Sequence, residues 1–283
     1  MLRESAYRSM RITQAAPFRR AALWLLAALC IACSDRETEG PALTVAAASS
    51  LTFAFEEIVP LFERETDVPV SCAFGATGQL ALQIEQGAPV DVFAAAGADF
   101  VDHLAAGNLI TPGSRHVFCR GDLVIWVRED SPLHLKGFGD LATAAVKRIA
   151  VAHPEYAPYG TAARQALVAA SLWERLQPKL VLGRTVRQAL QYAETGDVDA
   201  AVVPRALAPR AGGRWVGVTP TLYSPVDQTI AVIASSRLDT HALGFVEFLL
   251  SPTVQAILRR HGFRPLDPAA ILPSPASAAG SSS

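Results

Sequence analysis

The sequence predicts an α/β fold of two domains, each a mainly parallel sheet flanked by helices, joined by two crossover strands. Three observations predict it. Strand-like apolar runs alternate with helix-like patterns from residue 43 onward, and the alternation restarts near residue 148. Two long apolar stretches, 117–127 and 225–234, are suited to carry the chain from one sheet to another and back.

The first strand and its sequel, 43–51, read Leu-Thr-Val-Ala-Ala-Ala-Ser-Ser-Leu. A run of small apolar residues stops at two hydroxyls, and Leu51, Phe55, Ile58, Val59 and Phe62 then follow at helical spacing. The first N–H groups of such a helix have no intrahelical partner and sit at the positive end of its dipole, so the junction suits an anion. Ser49 and Ser50 add hydroxyl donors; Ser50 acting only as a helix cap is the structural alternative. A strand at 68–74, a break at Gly75-Ala76-Thr77-Gly78 and a helix through Leu80 and Ile84 repeat the unit, with Thr77 in the place of Ser50. Gly87-Ala88-Pro89 closes that helix, 90–96 is a third strand, and Asp99 caps a helix that ends at Gly107.

The stretch 117–127 is interrupted only by Arg120-Gly121-Asp122, as a strand leaving one domain for another would be. A short helix at 140–146, a strand at 148–152, and the loop His-Pro-Glu-Tyr-Ala-Pro-Tyr-Gly at 153–160 follow. Pro154 and Pro158 stiffen this loop, and Gly160 permits close approach at the start of a helix over 161–170. Further strands fall at 180–182, 199–203 and 215–218, with a helix over 186–195 opened by Arg184-Thr185. Helices at 240–250 and 253–261 close the body. Domain I is therefore expected at 42–122 with 225–266, and domain II, inserted, at 123–224.

Both ends read differently from the body. Arg19-Arg20 precede an apolar run, 21–32, that ends at Cys33. It is short for a membrane span and has the shape of a signal peptide, with an uncleaved anchor as the alternative. Residues 1–32 are read as the signal, Cys33 as the lipidation site of an exported lipoprotein, 33–41 as a tether, and 267–283, rich in Pro, Ala and Ser, as a disordered tail. The whole chain has 25 basic and 26 acidic residues. Removing 1–32 takes Arg3, Arg8, Arg11, Arg19, Arg20 and Glu4 away, leaving 20 basic against 25 acidic and a net charge of −5. That balance excludes nucleic acid as a partner, and it means a bound anion is held by local dipoles. Cys72 and Cys119 lie in apolar runs without metal spacing and are expected as buried free thiols, a disulfide being the alternative. The six histidines lie too far apart for a metal site.

Four segments together carry a resemblance. Ala-Ala-Ala-Ser-Ser-Leu at 46–51, Gly-Ala-Pro-Val-Asp-Val-Phe at 87–93, His-Pro-Glu-Tyr-Ala-Pro-Tyr-Gly at 153–160 and Arg-His-Gly-Phe at 260–263 resemble the periplasmic molybdate-binding proteins over about residues 42–266. The resemblance implies a periplasmic-binding-protein fold of type II, with an oxyanion, molybdate or tungstate, held between the domains and passed to the permease of an ABC transporter. It implies ligand roles for Ser50, Ser49, Thr77, Tyr159, through its backbone N–H or ring hydroxyl, and the backbone of Val186. Pro204 departs from the pattern, standing where many members carry a tyrosine. Either Tyr159 supplies that contact or the specificity has drifted. No cofactor is expected, and a monomer is.

Other readings are open. The ligand could be another small anion such as sulfate, or an anionic organic molecule, or the chain could be a sensor on the same fold. An iron receptor would pair adjacent tyrosines, and Tyr156, Tyr159, Tyr192 and Tyr223 include no such pair. An enzyme needs a nucleophile with its base or paired carboxylates at the strand ends, and the sequence offers neither there. Asp91 is read as structural, because a carboxylate would repel an anion.

Overall fold

The computed structural model describes residues 41–265. The predicted signal, Cys33, the tether up to residue 40 and the tail at 267–283 lie outside the described residues. Strands β1 (Leu43–Ala48), β2 (Val70–Gly75) and β3 (Val92–Ala96) pair in parallel, with Ala48 opposite Gly75 and Val45 opposite Val92. Helices α1 (Thr52–Thr66), α2 (Thr77–Glu85) and α3 (Asp99–Ala106) follow them in turn. β3 is buried throughout and β1 at every residue but Thr44, as in a sheet covered on both faces.

The chain then changes sheet. β4 (His116–Gly121) belongs to the first sheet, and after Asp122 alone β5 (Leu123–Val127) belongs to a second. That sheet is completed by β6 (Ile149–Ala152), β7 (Leu180–Gly183), β8 (Ala200–Pro204) and β9 (Arg214–Gly217). Its helices are α4 (Phe138–Leu141), α5 (Pro158–Ala169), α6 (Trp173–Leu176) and α7 (Val186–Glu194). β10 (Val226–Val232) returns to the first sheet, and α8 (Asp239–Leu250) and α9 (Pro252–Arg260) close the body.

The strand orders are β2-β1-β3-β10-β4 and β7-β6-β8-β5-β9. In each sheet four strands share a direction and one opposes them, β10 in the first and β5 in the second. Those two are the strands that arrive from the other sheet without a helical crossover, so nothing turns them round to run with their neighbours.

Apolar periodicity decides how the helices lie. α1 turns Phe55 and Phe62 inward, edge-on to Phe245 of α8 at ring-centroid distances of 6.1 and 5.0 Å. Each such ring contributes roughly 1.5–3 kcal/mol by burial. The structure corrects several local expectations. α5 starts at Pro158 rather than at 161, because a proline at the first helical position loses only an N–H that had no partner. Asp99 lies inside α3, whose N-cap is Ala98. The helix expected at 140–146 runs instead over Phe138–Leu141, since the Asp140 carboxylate accepts from the N–H groups of Lys136 and Gly137 and so holds its start upstream. α6 is an element the sequence reading did not include. Asp91 accepts from Thr44 N–H at 2.8 Å and from Ser236 Oγ at 2.7 Å, a structural role.

Candidate functional site

β1 ends at Ala48, and a 3-10 turn, Ser49–Leu51, leads into α1. Ser49 and Ser50 are buried there, and no side chain caps the turn. The Ser50 hydroxyl instead donates to Gln228 Oε1 on β10 at 3.3 Å. Thr77, the first residue of α2, is buried likewise and does not cap its helix. Its Oγ1 accepts from the Ala96 N–H at the end of β3, 3.2 Å away, which leaves the hydroxyl proton free to donate. The caps considered for both residues from sequence are thus replaced by longer-range bonds.

The second sheet supplies the opposite wall. Gly160 lets α5 start hard against β6, where a Cβ would lie 2.3 Å from the Ala152 carbonyl oxygen. The preceding residue, Tyr159, is buried, and its Oη accepts from Gln228 Nε2 at 3.3 Å. It sits directly over Gly121, at the crossing between sheets, where a Cβ would come within 1.6 Å of Oη. Burial pushes the Tyr159 phenol well above its ordinary value of 10, with the nearby Cys119, Asp122 and Tyr223 adding to the effect and a hydrogen bond with Ser50 opposing it. The ring therefore keeps its proton. Val186 is the first residue of α7, behind the N-cap Thr185, whose Oγ1 accepts from Gln188 N–H at 3.1 Å.

Ser49, Ser50, Thr77, Tyr159 and Val186 all line one cavity of about 10 Å³. The rest of its wall is alanine, glycine and proline, so no charged side chain lines it. Pockets for drug-sized ligands run to roughly 300–1,000 Å³, and this one is far smaller. It opens at the carboxyl ends of β1, β2 and β3 from one sheet and of β6 and β7 from the other, where ligands of open α/β sheets bind. The starts of α2, α5 and α7 converge on it, each with N–H groups that lack intrahelical partners.

Contacts across the cavity join the two halves. Gly78 N–H donates to the Tyr156 carbonyl at 2.9 Å. The Phe53 ring of α1 meets the guanidinium groups of Arg187 and Arg210 at 5.3 and 5.2 Å, and Arg210 also pairs with Glu56 at 3.0 Å. Pro204 ends β8 opposite Leu123 and is not part of the cavity wall. Cys72 and Cys119 are unbonded to each other. Burial, with Glu63 adding, raises the Cys72 thiol to about 12. Among the described residues no group of three His, Cys, Asp or Glu is placed to hold a metal ion.

Sequence reasoning missed Gln228 and Gly121. A lone amide inside an apolar strand is the signal that could have found Gln228, because a buried polar group has to be satisfied.

Residues 43–264 match the family model described as bacterial extracellular solute-binding protein. The chain belongs to this family. Among curated relatives, this solute-binding protein is 32% identical to the molybdate-binding protein ModA of Rhodobacter capsulatus, over 77% of this chain and 86% of that one. It is 31% identical to ModA of Escherichia coli, over 78% and 88%. Among solved structures, the periplasmic molybdate-binding protein of Azotobacter vinelandii superposes with a TM-score of 0.76 at 27% identity, covering 80% of this solute-binding protein and all of that chain.

Proposed function

We propose that this solute-binding protein captures molybdate or tungstate in the cavity between its sheets and delivers it to the permease of an ABC transporter, without catalysing a reaction. The observation that carries the reading is the wall of the cavity, which offers hydroxyls and free helix N–H groups and neither charge nor carboxylate. The names of the relatives support the choice of anion. Ser49, Ser50 and Thr77 donate from one side, and Tyr159 and the N–H of Val186 from the other. Tyr159 takes the part of the tyrosine that Pro204 replaces.

A wall of donors selects by protonation state. Molybdate, tungstate and sulfate are dianions near neutral pH and need only donors, whereas phosphate keeps a proton that would be buried without a partner. That mismatch costs roughly 1–3 kcal/mol, or about one to two decades in affinity. Sulfate passes this test, so its rejection falls to size.

The chain is exported on the signal at 1–32 and held at the membrane by an acylated Cys33, with 33–41 as its tether, and acts as a monomer. Domain I, 42–122 with 225–266, and domain II, 123–224, close on the anion about the two crossings. Calorimetric titration with molybdate, tungstate, sulfate and phosphate tests the ligand. Tight binding of the first two and weak binding of the others is expected, and phosphate binding as tightly as molybdate would overturn the reading. A mature protein that starts beyond Cys33 and is not acylated would overturn the anchor.

A further inference from the structure

Gln228 lies fully buried in β10, opposite Ala96 of β3 and Cys119 of β4. Its side chain bridges the two halves of the site. Nε2 donates to the Val226 carbonyl at 3.2 Å and to Tyr159 Oη at 3.3 Å, while Oε1 accepts from Ser50 Oγ at 3.3 Å. The Val226 carbonyl can only accept, so the amide nitrogen must face it and the amide oxygen must face Ser50. One orientation of the amide follows.

That orientation has a consequence for Tyr159. A phenol whose oxygen accepts from an amide N–H must give its own proton elsewhere, and Gly121, with no side chain, fills the space on another side of Oη. The cavity remains as the outlet for that proton. The Ser50 bond to Oε1 is longer than the usual O–H···O distance of about 2.7–2.8 Å. A dianion, whose charge-assisted hydrogen bonds are roughly twice as strong as neutral ones, draws both hydroxyl protons to itself. We infer that Gln228 is the positioning residue that aims the Tyr159 hydroxyl proton into the cavity, so that the site presents donors only and discriminates against a protonated anion. This inference rests on the oxyanion reading above and adds the residue that sets its selectivity.

The test is Gln228→Glu, close to isosteric, with Gln228→Leu as a companion. An ionised carboxylate at 228 can only accept, so it turns the Tyr159 proton away from the cavity and sets a negative charge beside the ligand. When protonated, the same carboxyl can donate to Oη as the amide does. Cys119 and Tyr223 are pushed up by burial, Asp122 pairs with Arg264, and Asp227, next along the strand, pairs with Arg120.

Molybdate affinity of Gln228→Glu is expected to fall on the order of 100-fold at pH 9 and to recover as pH drops to 6, while the wild type stays level. Gln228→Leu is expected to lose about tenfold at every pH, and to lose it more for molybdate than for phosphate, so the ratio between the two anions narrows. Melting temperatures of the ligand-free variants confirm that they fold. A Gln228→Glu variant that binds as the wild type does, or loses affinity equally at pH 6 and 9, overturns the inference. An unchanged anion ratio in Gln228→Leu does the same. A wild type that binds no tetrahedral oxyanion would instead overturn the functional reading itself.

Discussion

At the scale of single residues, the site depends on hydroxyls placed by contacts far away in the chain. If the proposed site holds, Ser50→Ala and Thr77→Val each remove one donor to a charged ligand, and each is expected to weaken molybdate binding by about 1.5–3 kcal/mol in calorimetry. Thr77→Val also strands the Ala96 N–H, so it should melt at a lower temperature as well. Gly121→Ala is a sharper case, because the added methyl would overlap Tyr159 Oη at 1.6 Å and force the ring out of place. Its affinity should fall below that of Tyr159→Phe, and a Gly121→Ala protein that titrates like the wild type would disprove the close contact. Ser49, Ser50 and Thr77 could be proposed from the sequence because each stands at a strand-to-helix junction, and Tyr159 from the resemblance carried by 153–160. Gln228 could not be read in the same way. It reaches its partners across 178 and 69 positions, and no local pattern encodes a bond of that range.

At the scale of elements, apolar periodicity located nearly every strand and helix, while the boundaries followed capping chemistry. α5 begins three residues earlier than its periodicity suggests because Pro158 is compatible with a first helical position. That shift matters for the site, since it makes Tyr159 a helical residue with its backbone at the positive end of a dipole. α1 raises the opposite question, as it runs unbroken through the exposed Pro60, which lacks an N–H for the carbonyl four residues before it. Pro60→Ala restores that hydrogen bond and should stabilise the protein, by up to about 3 kcal/mol. Urea unfolding measures it, and a lower midpoint in the variant would show that the ring packs or bends the helix usefully.

At the scale of the whole molecule, two properties follow from how the sheets are joined and what they bury. Only Asp122 separates β4 from β5, and 218–225 separates β9 from β10, and the proposed closure would turn about these two crossings. Small-angle scattering should show a more compact particle with saturating molybdate than without, and identical profiles would count against closure. The second property is alkaline instability. Cys72, Cys119, Tyr159 and Tyr223 all hold their protons more tightly when folded, chiefly through burial. The unfolded chain releases those protons first, from about pH 9 for the thiols and 10 for the phenols. Stability is therefore intact below pH 9 and falls as pH rises beyond it. Urea midpoints at pH 8 and 10.5 check this, and equal midpoints would contradict it.

What the sequence by itself determined was the alternation of strands and helices, the two crossings and the junctions where hydroxyls meet free N–H groups. These are local matters of periodicity, turn chemistry and the small size of alanine and glycine, and they survive reading one window at a time. The tertiary structure alone decided that β10 and β5 oppose their neighbours, that Thr77 and Ser50 bond across the fold instead of capping their own helices, and that Gln228 and Gly121 complete the seat of Tyr159. Those outcomes depend on which strand lies beside which, and a buried polar group takes its partner from whatever the packing brings within about 3 Å.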